Sequence, residues 1–147
     1  MLPRKIIAAS ISGPLFAIIL AMIEPYGENA FRSVSNYISA VADATVIYMW
    51  YSFPVILVYG VSTSLLSDKI GEVYVRRRKG KEEVISFIMH IIFGLVLFVF
   101  SLGASILFFI TDRLLKRREK EYGWAISMIS LVLPILTFFL AMEIAER

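Results

Sequence analysis

Apolar and polar residues fall in long blocks along this chain rather than in short periods. Four apolar blocks, at about 6–23, 44–66, 84–110 and 124–142, are separated by segments that hold most of the charged side chains. The third block, VISFIMHIIFGLVLFVFSLGASILFFI, is 27 residues long and carries no charge. A hydrocarbon core of ~30 Å is crossed by about 20 helical residues. A soluble core would have to cover four such runs with the little that remains of 147 residues. The pattern therefore predicts an all-α fold: an integral membrane bundle of four transmembrane helices, forming a single membrane domain over residues 1–147. In the weaker stretch 29–42, Phe31, Val34, Ile38 and Val41 recur at helical steps opposite Ser33, Asn36 and Ser39. A short interfacial helix capped by Asn29 fits that pattern, and an extension of the second span competes with it.

Inside the blocks, small residues mark where helices can approach. Ala9, Gly13, Ala17 and Ala21 recur every four residues in the first span, as do Gly60 and Ser64 in the second. Ser101 and Ser105 bound the small patch of the third. Close backbone approach at such faces holds membrane helices together by dispersion. Pro14, Pro54 and Pro134 lie inside three spans, each either a hinge or a static kink. Glu24-Pro25-Tyr26-Gly27 ends the first span, because proline disfavours helix in the residue before it and glycine suits a turn.

Hydrophobic residues make up 59% of the chain, which reinforces the membrane class. Cysteine is absent, removing disulfides, thiolate metal sites and cysteine nucleophiles. Arg4 and Lys5 ahead of the first block resemble a signal sequence, but its length and the lack of a small-residue cleavage site favour a retained span. Four crossings would place both termini and the 67–83 loop on one side with nine Lys and Arg, against six on the other. The excess favours cytoplasmic termini. So small an excess has three explanations: a third helix long enough to carry its basic cluster past the membrane, insertion in both directions, or one run that does not cross. Tyr26, Tyr48, Trp50, Tyr51, Tyr122 and Trp124 would share one interface.

Ionisable groups in lipid are costly and so are the first places to look for function. His90 is the clear case, either a relay or ligand contact or an imidazole satisfied by its neighbours. Glu24, Asp43 and Asp112 end different spans on one side in the four-crossing arrangement, where they could form an acidic vestibule with Arg32 or Arg113 as counter-charge, or merely terminate helices. The run Arg76, Arg77, Arg78, Lys79 and Lys81 would hold its loop against an anionic leaflet or an anionic partner. Nothing in the spacing suggests a metal site, a cofactor, nucleic-acid binding or a catalytic set, so an enzyme is not expected.

The segment from Ser52 to Asp68, SFPVILVYGVSTSLLSD, resembles the second span of short, uncharacterised four-span membrane proteins of Bacillus-type bacteria. The likeness covers about 20 residues. It implies a multi-pass protein of a bacterial plasma membrane and carries over no activity and no site residue. The leading expectation is a protein that works by helix–helix association, with itself or with another membrane protein, in the lipid bilayer. The alternative is a small oligomeric channel or transporter for ions or small cationic molecules.

Overall fold

The computed structural model describes residues 1–77, 82–95, 98–118 and 121–146, and all its regular structure is helical. The helices are α1 (Leu2–Ile23), α2 (Val34–Val55), α3 (Val61–Arg77), α4 (Glu82–Leu95), α5 (Phe98–Arg117), α6 (Trp124–Ser130) and α7 (Val132–Ala145). One π-helical turn, Ile56–Gly60, joins α2 to α3, and α6 runs into α7 at Leu131. Among the described residues, three helices are long and apolar enough to cross a membrane: Leu2–Ile23, Val34–Tyr74 and Trp124–Ala145.

The first turn of the chain forms as its residues dictate. Gly27 takes φ +108°, the left-handed region that side chains avoid, after Pro25 has stopped α1. A single 3-10 turn, Ala30–Arg32, follows. The cap of the next helix is Ser33, whose Oγ accepts from the Asn36 N–H at 3.1 Å. Asn29 does not cap it, and residues 34–42 are the opening turns of α2 rather than a separate interfacial helix.

Small residues form the packed face of α1. Ala9, Ala17 and Ala21 are fully buried, and a Cβ added to Gly13 would stand 2.7 Å from the Phe53 ring. Beyond Pro54, which has no N–H to give the helix ladder, the backbone slips into the π-turn.

The third apolar run is not one span. It is two helices, α4 and α5, folded against each other in opposite directions. Phe87 meets the Phe109 ring at 5.2 Å, Ser105 Oγ donates to the His90 carbonyl at 2.8 Å, and Gly94 lies against Leu102 and Ser105. A Cβ on Gly94 would come within 2.9 Å of Ser105 Cβ and 3.2 Å of Leu102 Cα. The Ser101–Ser105 patch is therefore a place of close helix approach, and the neighbour is the chain's own preceding helix.

This reversal changes the direction of everything after it. Ser130 of α6 meets Ser10 in the first half of α1 at 3.1 Å, while Ala141 and Ile144 share a groove with Ile18 and Met22 near its end. Thus α6–α7 runs parallel to α1. Tyr48 donates to the Glu24 carbonyl at the far end of α1, whereas Trp124 opens α6 at the near end. The six interface aromatics do not share one end of the bundle.

A buried ion cluster and the cavity behind it

The reversal brings together charges that lie far apart in sequence. Lys5, one turn into α1, has no solvent exposure. Its Nζ lies 2.6 Å from Ser64 Oγ, 2.7 Å from Asp68 Oδ2 and 3.3 Å from Asp112 Oδ2. The ammonium donates to Ser64 and Asp112 and pairs with Asp68 as a counter-ion. Arg4 grips Asp112 with two donors, Nε to Oδ1 at 2.7 Å and Nη2 to Oδ2 at 3.2 Å. Such paired contacts combine charge with fixed geometry. On the other side of Asp68, Oδ1 accepts from Arg113 Nη2 and from Ser86 Oγ, both at 3.0 Å. Both carboxylates are 2% exposed.

Each helix supplies its share because of its spacing. Gly60, Ser64 and Asp68 fall four apart along the π-turn and α3, so the small residues clear room that Phe108 and the Lys5 chain fill. Asp112 and Arg113 are adjacent on α5 and point to different partners, Asp112 to α1 and Arg113 to α3. The Arg113 guanidinium also lies 5.1 Å from the Phe109 ring centre, a cation–π contact. Among the described residues, the cluster thus counts three cations, Arg4, Lys5 and Arg113, against two carboxylates, a surplus of one positive charge. In a low-dielectric setting that surplus is a substantial local field.

Ser86 links the cluster to His90, one helical turn further along α4. The imidazole Nδ1 lies 2.8 Å from the Ser86 carbonyl, which can only accept, so Nδ1 carries a proton and, in the neutral ring, Nε2 presents a lone pair. The ring is 4% exposed and packs on Phe108 and Phe109, and Nε2 has no partner among the described residues. His90 forms part of the wall of a cavity of about 30 Å³ between the π-turn, α4 and α5. A water needs roughly 10–15 Å³ of such space, so one or two water-sized species fit. Wider grooves between α2 and α7, about 280 and 450 Å³, are lined almost wholly by apolar side chains such as Trp50, Phe138 and Leu140.

Of the residues singled out in the sequence, the structure gathers Asp112, His90, Ser64, Gly60, Ser101 and Ser105 at or beside this site. Glu24 and Asp43 are elsewhere. Glu24 ends α1 about 19 residues from Lys5, or ~28 Å at 1.5 Å per residue. Asp43 is exposed beside Tyr26 and Glu146 at that same far end. The three carboxylates therefore form no common vestibule, and Arg113 pairs with Asp68 instead. Of the basic run, Arg78, Lys79 and Lys81 lie outside the described residues, and α3 carries the backbone of Arg76 and Arg77 beyond the cluster. Sequence reasoning missed Arg4, Lys5, Asp68 and Ser86 as site residues. Asp68 alone left a trace, as the next step in the Gly60–Ser64 rhythm. Comparison of the chain with protein-family models, curated proteins and solved structures returns no match to any of the three.

Proposed function

We propose that this is a three-crossing protein of a bacterial plasma membrane, of the channel or transporter class, that passes a compact cation by way of the His90 cavity, with the ion cluster as its gate. Two arguments support the crossing number. The apolar part of α4, Val84–Leu95, is 12 residues and reaches ~18 Å, well short of a ~30 Å core, so α4 and α5 enter and leave on one side. Broken helices at membrane depth occur where they are buried in protein or line a polar cavity.

Charge supplies the second argument. With the hairpin returning to its side of entry, the N-terminus and the segments joining α3 to α4 and α5 to α6 face the same way. They hold Arg4 and Lys5; Lys69, Arg76, Arg77, Arg78, Lys79 and Lys81; and Arg113, Lys116, Arg117, Arg118 and Lys120, thirteen of the fifteen Lys and Arg. Only Arg32 and Arg147 fall opposite. A nine-to-six split becomes thirteen to two, and the positive-inside tendency then places the N-terminus in the cytoplasm and the C-terminus outside. Of the two termini, only the first keeps its expected side. The basic segments would also lie against the anionic leaflet.

The observation that supports the functional reading is a buried Lys5–Asp68–Asp112 core that Ser86 links to His90, on the wall of a cavity that four hydroxyl side chains help to line. Ionisable groups inside membrane bundles mark ion or proton paths by default. Association through Ala9, Gly13, Ala17 and Ala21 is less favoured, because those alanines are already buried within the same copy and Gly13 lies against Phe53. Flux tests the proposal. Liposomes containing the purified chain and a pH-sensitive dye should show ion- or proton-driven pH changes that Asp68→Asn alters; no flux across protons, ammonium and alkali cations would overturn it. Because the chain has no cysteine, Glu28→Cys and Glu121→Cys report topology without background. Labelling from opposite faces is expected, and labelling from one face would restore four crossings.

A further inference from the structure

The wall of the cavity says more about its occupant than its size does. Four hydroxyl side chains line it with His90: Tyr59, Thr63, Ser101 and Ser105. Three have already given their protons away. Tyr59 Oη donates to the Phe93 carbonyl at 3.0 Å, Thr63 Oγ1 to the Tyr59 carbonyl at 2.8 Å, and Ser105 Oγ to the His90 carbonyl at 2.8 Å. His90 has likewise committed its N–H to Ser86. What these four groups have left to offer is lone pairs. Ser101, the fourth hydroxyl, can turn either way.

We infer that the cavity is a site for a compact cation that donates N–H or O–H bonds, of the ammonium or hydronium kind, and that its occupancy opposes closure of the ion cluster. The inference rests on the transport reading above. An anion would face acceptors throughout. A bare alkali ion would take one imidazole nitrogen and a few hydroxyl oxygens, a poor exchange for its hydration shell. An N–H donor matches both Nε2 and the hydroxyls.

The antagonism follows from charge. Among the described residues, the ionised groups facing His90 are Lys5 from α1, Asp68 from α3 and Arg113 from α5, with Arg4 and Asp112 behind them. They sum to one positive charge. A second cation beside His90 is repelled by that surplus, so entry of the ligand favours loosening of a cluster cation. Arg113 is the candidate: it holds Asp68 by a single hydrogen bond and its Nε and Nη1 have no partner among the described residues.

The chain has one histidine, so a ¹⁵N-imidazole spectrum of the full protein in lipid nanodiscs reports this site alone. The expected resting spectrum shows a protonated Nδ1 and a bare Nε2. Ammonium chloride should move the Nε2 resonance saturably, while potassium chloride and tetramethylammonium chloride at equal concentration should not. Acidification in potassium buffer separates the hydronium arm, because it protonates Nε2 itself. Arg113→Gln should lower the ammonium midpoint on the order of tenfold, the effect of one nearby charge at intermediate dielectric, and Arg113→Lys should leave it near wild type. A protonated Nε2 at rest, equal responses to potassium and ammonium, or an unshifted midpoint in a folded Arg113→Gln protein would each overturn the inference. The wild-type titration decides even if the variants do not fold. Saturable ammonium binding without flux would remove the transport reading alone; flux with a silent Nε2 would remove this inference alone.

Discussion

The two ends of this bundle are held by different physics. At the far end, α1, α2 and α7 meet through alanines, Gly13 and apolar side chains; Thr45 and Thr137 bond within their own helices, and Tyr37 and Tyr48 of α2 donate to carbonyls at the end of α1. At the near end, α1, α3, α4 and α5 meet around five formal charges, two serines and a histidine. Lipid tails are as apolar as leucine, so the first kind of contact depends on close fit. The second depends on charge balance, because an unpaired ion has nowhere to be solvated. The far end should therefore respond to volume and the near end to charge.

The largest effect is expected at Asp68. Replacing it by asparagine leaves three cations facing only Asp112, and removal of one partner from a buried ionic set costs about 3–5 kcal/mol. Lys5→Met instead leaves two arginines facing two aspartates, a neutral set, and its cost should be about 1–2 kcal/mol, close to that of unpaired Ser64 Oγ. The double variant should be more stable than Asp68→Asn alone. Reversible unfolding in detergent–lipid mixtures measures all three, and equal losses for Asp68→Asn and Lys5→Met would show that net charge does not govern this end.

Next come the glycines, which separate fit against backbone from fit against a side chain. In both helices, alanine gains about 1 kcal/mol of intrinsic helix preference over glycine. At Gly94 the new methyl meets the Leu102 backbone and Ser105 Cβ, which cannot retreat without parting α4 from α5. Overpacking of this kind costs ~1–3 kcal/mol, so a net loss is expected. At Gly13 the obstacle is the edge of the Phe53 ring, which can turn. Gly13→Ala should be near neutral. The order Gly94→Ala below Gly13→Ala in stability is the test, and the reverse order would mean that the hairpin is looser than its contacts indicate.

The contrast also explains what could be read in advance. Block hydropathy identifies the span-length helices because their burial in lipid is a property of each segment alone. The small-residue stripe of α1 is visible for the same reason, since a four-residue repeat makes a face wherever the helix goes. The near end depends on which way residues 84–110 run, and that choice is not local. With the run extended, Arg4, Lys5 and Asp112 sit at opposite ends of the molecule and read as ordinary helix-ending charges. With it folded, they touch. Two features pointed to the fold: Gly94 seven residues before the Ser101 patch, and a Lys/Arg split too even for four crossings. Neither includes a proline or a polar breaker, so continuity was the simpler reading of the same residues.

The smallest effect belongs to the one side-chain hydrogen bond that ties α6 to α1. Ser130 Oγ lies 3.1 Å from Ser10 Oγ and 2.7 Å from the carbonyl of Ser127, one turn back on its own helix. Ser10 Oγ in turn donates to the Ile6 carbonyl at 2.9 Å. With its own proton used, Ser10 can only accept from Ser130, whose single proton must then be shared between Ser10 and Ser127. Ser130→Ala removes that shared bond, leaves Ser10 with a partner for its proton, and opens no large void. Interhelical bonds of this kind in membranes average ~0.6 kcal/mol, and half-occupancy should bring the loss below that. A measured loss above ~1.5 kcal/mol would place it among the near-end contacts, where an unmet polar group is costly, and would move the boundary between the two regimes from the first turns of α1 to beyond Ser10.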